Sequence, residues 1–482
     1  MALFWLVLFG QQVGNLFNVL ADSDSCWLIK TGLWMLQHQA IPTHNPFAGP
    51  DAALAQIPIV CYQWLFEVVL GLAYQCLGLQ AVALAVAFCF GLTYLVLTIG
   101  LYERGYKAVP DILFSVLFSL LALKSYVLAR PALVSLLLMA VLLRLCHKNL
   151  SVRQSWLIFP ALFALWANLH LGFIAGLLVL GLFSLEKAWQ GKSWQQLTLW
   201  LACGLATLLN PYGYGLFSYF IRLADSPFMN HNIFELGSPA FNAQPMLLAY
   251  FLLVLLSAFV AFRDSRIRPT EKALFFISFG LSLYSMRHVF LLALCALPLM
   301  ASSISRLRQK LGLPACLKTL SFEGFVQSAE KPWLWVIGTV LLGLWVSGQR
   351  VNTPGFPQEA KLSGVIRYLN GHKIPTPLLS NEIWGSYLLY YTEKRSYLDS
   401  RMDMYGDARV QELFTALNLE GDWRAALAKY RFQSLLLQPG TLQASYLTDY
   451  CKGCVLYQDE NAVLIDIRHL VPACAVAEKQ HS

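Results

Sequence analysis

The chain has 482 residues, of which 57% are hydrophobic and only 13% charged, about half the charged share of a soluble globular protein. This excludes an ordinary water-soluble fold for most of the length. The net charge of +8 reads as membrane topology and not as a nucleic-acid surface, because the cations collect in alternate loops.

The apolar residues gather into blocks of about 15 to 22, the length a helix needs to cross a hydrocarbon core. They predict a polytopic α-helical membrane protein with about eleven spans. These lie near Leu3 to Leu20, Ala81 to Leu101, Pro110 to Leu123, Ala132 to Cys146, Trp156 to Trp166, Leu171 to Leu185, Leu197 to Leu209, Met246 to Phe262, Ala273 to Tyr284, Val289 to Ser302 and Trp333 to Val346. The first block has no cationic segment before it and is interrupted by Gln11, Gln12, Asn15 and Asn18. It therefore reads as a retained span whose amides face protein, and not as a cleaved signal peptide.

Between the first two spans, residues Ala21 to Gln80 form a connection too long to be passive. Trp27, Thr31, Trp34 and His38 recur at helical spacing and predict an interfacial helix. The Ile41-Pro42-Thr43-His44-Asn45-Pro46 segment ends it, and a second amphipathic stretch runs from Gln63 to Leu77. A further loop spans Asn210 to Pro245, and the basic Ser303 to Pro332 connection reads as a solvated loop. No repeat of solenoid length is present.

After Thr353 short apolar runs alternate with amphipathic helices, the pattern of a small α/β domain. Helices are predicted at Gln358 to Leu369, Trp384 to Tyr391, Asp407 to Leu417 and Trp423 to Tyr430. Strands are predicted at Pro377 to Leu379, Arg395 to Leu398, Ser434 to Leu437, Val455 to Gln458 and Ala462 to Ile465. The expected division is a membrane domain over 1–350, with its long loop at 21–80, and a soluble domain over 351–482.

Lys and Arg fix the expected orientation. One set of loops holds roughly sixteen, from Arg104 to Lys331, whereas the other holds about five: Lys30, Lys124, Arg130, Arg222 and Arg287. The N-terminus is then cytoplasmic, and the long first loop and the C-terminal domain lie outside. In that compartment Cys451 and Cys454 could form a disulfide or remain two thiols.

The chemistry-bearing cluster is Asp22-Ser23-Asp24, directly after the first span. Two carboxylates two residues apart can share a divalent cation, or one can act as a base while the other orients a partner. The plainer reading is a pair of solvated loop charges. Cations are scarce on the outside, so Arg130 and Arg287 stand out as phosphate ligands or as residues snorkelling to lipid phosphates. Lys30 fits phosphate binding or interfacial anchoring. His170, at an outside turn, could bind a phosphate or sugar hydroxyl, or simply its own backbone. Glu235 and the Asp399-Arg401-Asp403 group could line a sugar pocket, although an internal salt bridge equally suits the latter.

The stretch Asp24-Ser-Cys-Trp-Leu-Ile-Lys-Thr-Gly32, with Ile41-Pro42-Thr43-His44-Asn45-Pro46-Phe47 and Gln63-Trp64-Leu65-Phe66, resembles the first outside loop of bacterial integral membrane glycosyltransferases of the GT-C superfamily. The resemblance continues through Leu128-Ala129-Arg130-Pro131, Trp166-Ala167-Asn168-Leu169-His170, Asn210-Pro211-Tyr212-Gly213, Trp384-Gly385-Ser386-Tyr387-Leu388 and Asp399-Ser400-Arg401. It implies a plasma-membrane enzyme that moves a sugar from a polyprenyl phosphate or diphosphate carrier to a glycan, lipid or protein acceptor at the outer face. Asp24 would be the base, and Asp22 its partner or, with Asp24, a ligand for Mg or Mn. Arg130, Arg287, Lys30 and His170 would bind the donor phosphate, while Glu235, Asn168, Asn210, Tyr212, Asp399 and Arg401 would line the sugar or acceptor pocket.

Relatives often carry His in place of Leu28, His-Glu in place of Tyr62-Gln63, and Asp in place of Asn45. Two other function classes therefore stand beside the transferase: a lipid-linked saccharide flippase, and a non-catalytic envelope assembly protein on a degenerate scaffold. The near absence of acidic residues inside the spans disfavours a transporter.

Overall fold

The computed structural model describes residues 20–48, 52–123, 128–191, 194–312, 356, 359–450 and 454–470. The expected spans at Leu3 to Leu20 and Trp333 to Val346 fall, apart from Leu20, outside these residues, as do Lys124, Lys318, Lys331 and Cys451. In chain order the helices are α1 Asp24–His38, α2 Trp64–Leu77, α3 Leu79–Glu103, α4 Val109–Leu123, α5 Ala132–His147, α6 Val152–Leu169, α7 Phe173–Trp189, α8 Gln195–Ala206, α9 Gly215–Ala224, α10 Pro245–Ala261, α11 Pro269–Tyr284 and α12 Val289–Lys310. They continue with α13 Glu359–Gly371, α14 Glu382–Tyr391, α15 Asp407–Asn418, α16 Trp423–Lys429 and α17 Leu442–Tyr450, interleaved with β1 Leu378–Ser380, β2 Ser434–Leu437, β3 Val455–Gln458 and β4 Val463–Asp466. The described residues form two compact units: one holds those of 80–224 and 229–312, and the other gathers those of 20–79, 225–228 and 356–470.

The first unit is helical. Its α3 is apolar on all faces, as befits a helix with lipid or protein on every side. Among the described residues, Leu79–Glu103 and Met286–Lys310 are long and apolar enough to cross a membrane, and Ala132–His147 and Pro245–Ala261 are shorter apolar helices. Neighbours pack as α4 on α12, α6 on α8, α7 on α8, and α10 and α11 on α12.

Polar extensions explain why helix ends overrun the apolar blocks. α6 starts four residues before the expected Trp156 because Ser151 and Gln154 close a reciprocal capping box, with Gln154 N–H to Ser151 Oγ at 3.2 Å and Ser151 N–H to Gln154 Oε1 at 3.0 Å. α12 continues past Ser302 because its polar tail finds partners: Arg308 pairs with the buried Asp111 at 2.8 Å. The expected loop from Asn210 to Pro245 contains α9, an amphipathic helix that buries Leu216 and Tyr219.

In the second unit a four-stranded sheet runs β1-β2-β4-β3, with β1 parallel to β2 and the other pairings antiparallel. Leu378 faces Ser434, and Leu435 faces Ile465. The parallel β1–β2 pair requires a crossover, supplied by α14, α15 and α16. One core joins Leu413 of α15, Leu427 of α16, Leu435 of β2 and Ile465 of β4 to Leu54 and Ile57 of the long first loop. That loop therefore folds as part of this unit. The expected strand Arg395 to Leu398 is reduced to one bridge between Ser396 and Leu378, since the chain turns there to bury Asp399 and Arg401. α17 was not foreseen.

Candidate functional site

The Asp22-Ser23-Asp24 triplet opens α1. Asp22 is 7% exposed, and its Oδ1 accepts the Asp24 N–H at 3.1 Å, while Asp24 Oδ1 accepts the Trp27 indole N–H at 3.2 Å. Asp24 sits in the first turn, where the helix dipole favours a carboxylate. Both acids are thus seated in a helix start and are not loose loop charges.

What positions α1 is its contact with α2. A Cβ on Gly32 would lie 1.9 Å from the Glu67 carbonyl oxygen, and one on Gly71 would lie 2.8 Å from the Gly32 carbonyl carbon. Only glycine allows the two backbones so close. Glu67 is buried at this crossing: its Oε1 accepts from Gln63 at 3.4 Å, Oε2 has no partner among the described residues, and burial pushes its pKa up to about 8 against the Gln63 bond and the Arg401 charge.

Further along α1, the Lys30 ammonium lies 5.7 Å over the Tyr390 ring, and the Tyr390 hydroxyl donates to the Tyr74 hydroxyl at 2.7 Å. Tyr387 is fully buried with a hydroxyl that has no hydrogen-bond partner among the described residues. Burial, then the Cys26 thiol, then the Asp24 carboxylate raise its pKa.

Arg401 and Asp399 consume each other. Arg401 Nε donates to Asp399 Oδ1 at 3.0 Å and Nη2 to Oδ2 at 2.6 Å, both residues being 2% exposed. Arg401 also donates to Asn45 Oδ1 at 3.1 Å and lies 5.1 Å over the Phe47 ring. The Tyr405 hydroxyl donates to Asp399 Oδ2 at 3.2 Å. This is the internal salt bridge, and it ties the first loop to the segment after β1.

In the helical unit, Arg130 donates to Glu235 at 2.8 Å, both being partly exposed. Burial lowers the Arg130 pKa, with Glu235 opposing and Arg287 adding to the fall. The Arg287 turn is pinned to the Glu235 segment by Met286 N–H to Gly237 O at 2.9 Å and Ser285 Oγ to Glu235 O at 3.1 Å.

His170 caps α6. Its Nδ1 accepts the Gly172 N–H at 3.2 Å and lies 2.7 Å from Ser135 Oγ, which in turn accepts the Trp166 indole N–H at 2.7 Å. A nitrogen that accepts from a backbone amide carries no proton, so the ring is the Nε2–H tautomer. Burial, then Arg287, pushes its pKa down to about 3, so the imidazole stays neutral. Gly172 is required here, since a Cβ would lie 2.2 Å from Ser135 Oγ.

The amides of the remaining motifs serve the backbone. Asn168 Nδ2 donates to Ala164 O and Leu209 O, each at 2.8 Å. Asn210 donates to Thr207 O at 2.7 Å and accepts the Tyr212 N–H at 2.7 Å, closing a turn whose Gly213 has φ +54°. The Tyr212 side chain is partly exposed.

The predicted residues thus fall into two groups: Asp22 just before α1 with Asp24 and Lys30 on it, and Arg130, Glu235, Arg287 and His170 at one end of the helical unit. Sequence reasoning passed over Glu67 and Tyr387. Tyr387 stood inside the Trp384 to Leu388 motif, and Glu67 is four residues after Gln63, but apolar neighbours hide its isolation. Among the described residues no group of three or more His, Cys, Asp or Glu side chains converges on a metal position. Asp22 and Asp24 would supply two ligands, leaving phosphate and water to complete a hard cation's shell, as is usual for Mg²⁺. Cys454 Sγ lies 3.6 Å from the His469 ring nitrogens.

No protein-family model and no curated protein matches this chain. Solved structures do. ArnT from Cupriavidus metallidurans bound to undecaprenyl phosphate aligns at 17% identity over 96% of this chain and 98% of that one, TM-score 0.52. Its apo state aligns at 17% over 98% and 99%, TM-score 0.52. The archaeal oligosaccharyltransferase AglB from Archaeoglobus fulgidus, in complex with an inhibitory peptide and a dolichol-phosphate, aligns at 11% over 90% of this chain and 69% of that one, TM-score 0.54. The chain therefore shares its fold with these structures over nearly its whole length.

Proposed function

We propose that this protein is a glycosyltransferase that moves a sugar from a polyprenyl-phosphate-linked donor to an acceptor at the outer face of a bacterial plasma membrane, with its N-terminus cytoplasmic. The observation that carries the reading is the fold, shared over nearly the whole chain with a protein solved on undecaprenyl phosphate and with one solved on dolichol-phosphate. The carboxylate pair at the start of α1 supplies the chemistry such a reaction needs.

In the proposed step the acceptor oxygen attacks the anomeric carbon, the carbon–oxygen bond to the carrier phosphate breaks, and its electron pair leaves with the phosphate. Asp24 takes the acceptor's proton. Asp22 holds the Asp24 backbone through the 3.1 Å bond and so fixes the base on the helix start. Mg or Mn, held by Asp22 and Asp24, would supply charge neutralisation at the leaving phosphate.

Arg130 and Arg287 offer guanidinium forks matched to phosphate oxygens, and Glu235 holds Arg130 until an anion competes for it. Neutral His170 offers an Nε2–H donor without adding charge.

A non-catalytic scaffold is the second reading, favoured by one observation. Two positions where the family resemblance implies acidic groups hold amides engaged internally: Asn45 accepts from the Phe47 N–H at 3.1 Å and from Arg401, and Gln63 donates to Glu67. The test is transfer by the full chain in nanodiscs, using polyprenyl-phosphate-linked sugars and host membrane extract as acceptor source. Asp24→Asn should abolish release of the polyprenyl phosphate while leaving the thermal melt intact. Full transfer by that variant would refute the role of Asp24.

A further inference from the structure

At the end of α5 away from Arg130, the helical unit closes around a basic cavity of about 390 Å³. Arg130 and Arg144 are separated by fourteen residues of sequence, roughly 20 Å along a helix, so this cavity is distinct from the outer group described above. Arg104 follows α3, Arg144 and Lys148 end α5, and Arg266 and Arg268 precede α11. On the charge reading of the loops this is the cytoplasmic end.

The ion pairs do not balance. Arg144 grips Glu103 through Nε at 2.9 Å and Nη2 at 2.7 Å, and Lys148 reaches the same carboxylate at 3.5 Å. Arg104 pairs with Glu271, and Arg266 with Asp264 at 2.7 Å. The Arg268 backbone N–H donates to Glu271 Oε2 at 3.0 Å, but among the described residues its guanidinium has one carbonyl, Cys146 O at 3.3 Å, and no carboxylate. Five cations therefore share three carboxylates among the described residues, an arrangement that costs Coulomb energy unless a further anion joins it.

The floor has a different chemistry. A crevice that shares Gly100, Arg104 and Arg144 with the cavity is lined by Val96, Leu97, Leu143, Leu294 and Leu297. Cations above an aliphatic crevice suit an amphiphile with an anionic head, and basic pockets between membrane helices on the cytoplasmic side are lipid-headgroup sites. A guanidinium without a carboxylate partner is the group best able to take up phosphate oxygens.

We propose that this cavity is a binding site for a phosphate group, with Arg268 as its principal ligand and Arg144 and Lys148 at its rim. The phosphate can come from a phospholipid headgroup or from a soluble phosphate compound, and the apolar crevice would receive the first carbons of the former.

The test uses the full chain in nanodiscs of mixed phosphatidylglycerol and phosphatidylcholine, with bound lipids counted by native mass spectrometry. Wild type should retain phosphatidylglycerol in preference to phosphatidylcholine. Arg268→Gln should weaken that retention about tenfold, the effect of losing one charge-assisted contact. Lys148→Gln, at a half-exposed position, should act in the same direction without threatening the fold, and Arg153→Gln, exposed and outside the cavity, should change nothing. In a second arm, millimolar inorganic phosphate is added to phosphatidylcholine-only discs. A rise in Tm that Arg268→Gln removes, without phosphatidylglycerol preference, would assign the site to soluble phosphates. Neither preference nor Tm rise depending on Arg268 would overturn the proposal.

Discussion

Replacing Gly32 by Ala tests how α1 is held. The added carbon would sit 1.9 Å from the Glu67 carbonyl oxygen, 2.6 Å from its carbon and 3.2 Å from the Gly71 nitrogen, all backbone atoms that no rotamer change can move. Carbon needs about 3.5 Å, so the two helices must part by roughly 1.5 Å at the crossing. Overpacking of this kind costs about 1–3 kcal/mol or more. For a unit of roughly 200 residues each kcal/mol lowers Tm by about 2–4 °C. The displacement also reaches the helix that carries Asp24, the proposed base, and misplacing a reacting group by about 1 Å can cost around 10²-fold in rate. Thermal melts and turnover of Gly32→Ala, Gly71→Ala and Gly204→Ala should therefore rank in that order of damage, since a Cβ on Gly204 meets nothing. A Gly32→Ala protein with wild-type Tm and turnover would show that the close crossing of α1 and α2 does not hold α1 in place.

Arg401→Ala should destabilise the second unit by about 3–5 kcal/mol, because it leaves Asp399 charged and buried; chemical denaturation of the full chain would measure this, and the change should exceed that of Asn45→Ala. Glu67, raised to about 8 by burial, binds a proton in the folded state that the unfolded chain releases near pH 4.3. Stability should therefore fall as pH rises from about 4 to 8, and Glu67→Gln should flatten that slope in melts taken across the range. Glu235→Gln should leave Arg130 without its ion-pair partner and change KM for the lipid donor more than kcat, whereas equal loss in both would place Glu235 in the reacting step.

Much of the membrane half was legible because a long apolar run has few alternatives. The expected Ala81 to Leu101 became Leu79–Glu103, and Ala132 to Cys146 became Ala132–His147. Hydropathy fails where polar residues extend a helix, as at Ser151 to Gln154 and along the tail of α12, since partners found in three dimensions stabilise those turns. The strand expected at Arg395 to Leu398 had the right residues, but burying the Asp399–Arg401 pair turns the chain instead. Asp22 and Asp24 were visible as a motif. The close crossing that places their helix was not, because it rests on Gly32 and Gly71, in two helices that sequence spacing does not relate. Arg130 and Glu235 stand 105 positions apart, so nothing local could pair them.

The most direct test of the transferase reading is lipid and glycan profiling of the native host carrying the wild-type gene, no gene, or Asp24→Asn. A polyprenyl-linked sugar should accumulate, and one glycan residue should disappear, in both the deletion and the variant. A normal profile in Asp24→Asn, with a defect only in the deletion, would contradict that reading and point to transport or scaffolding.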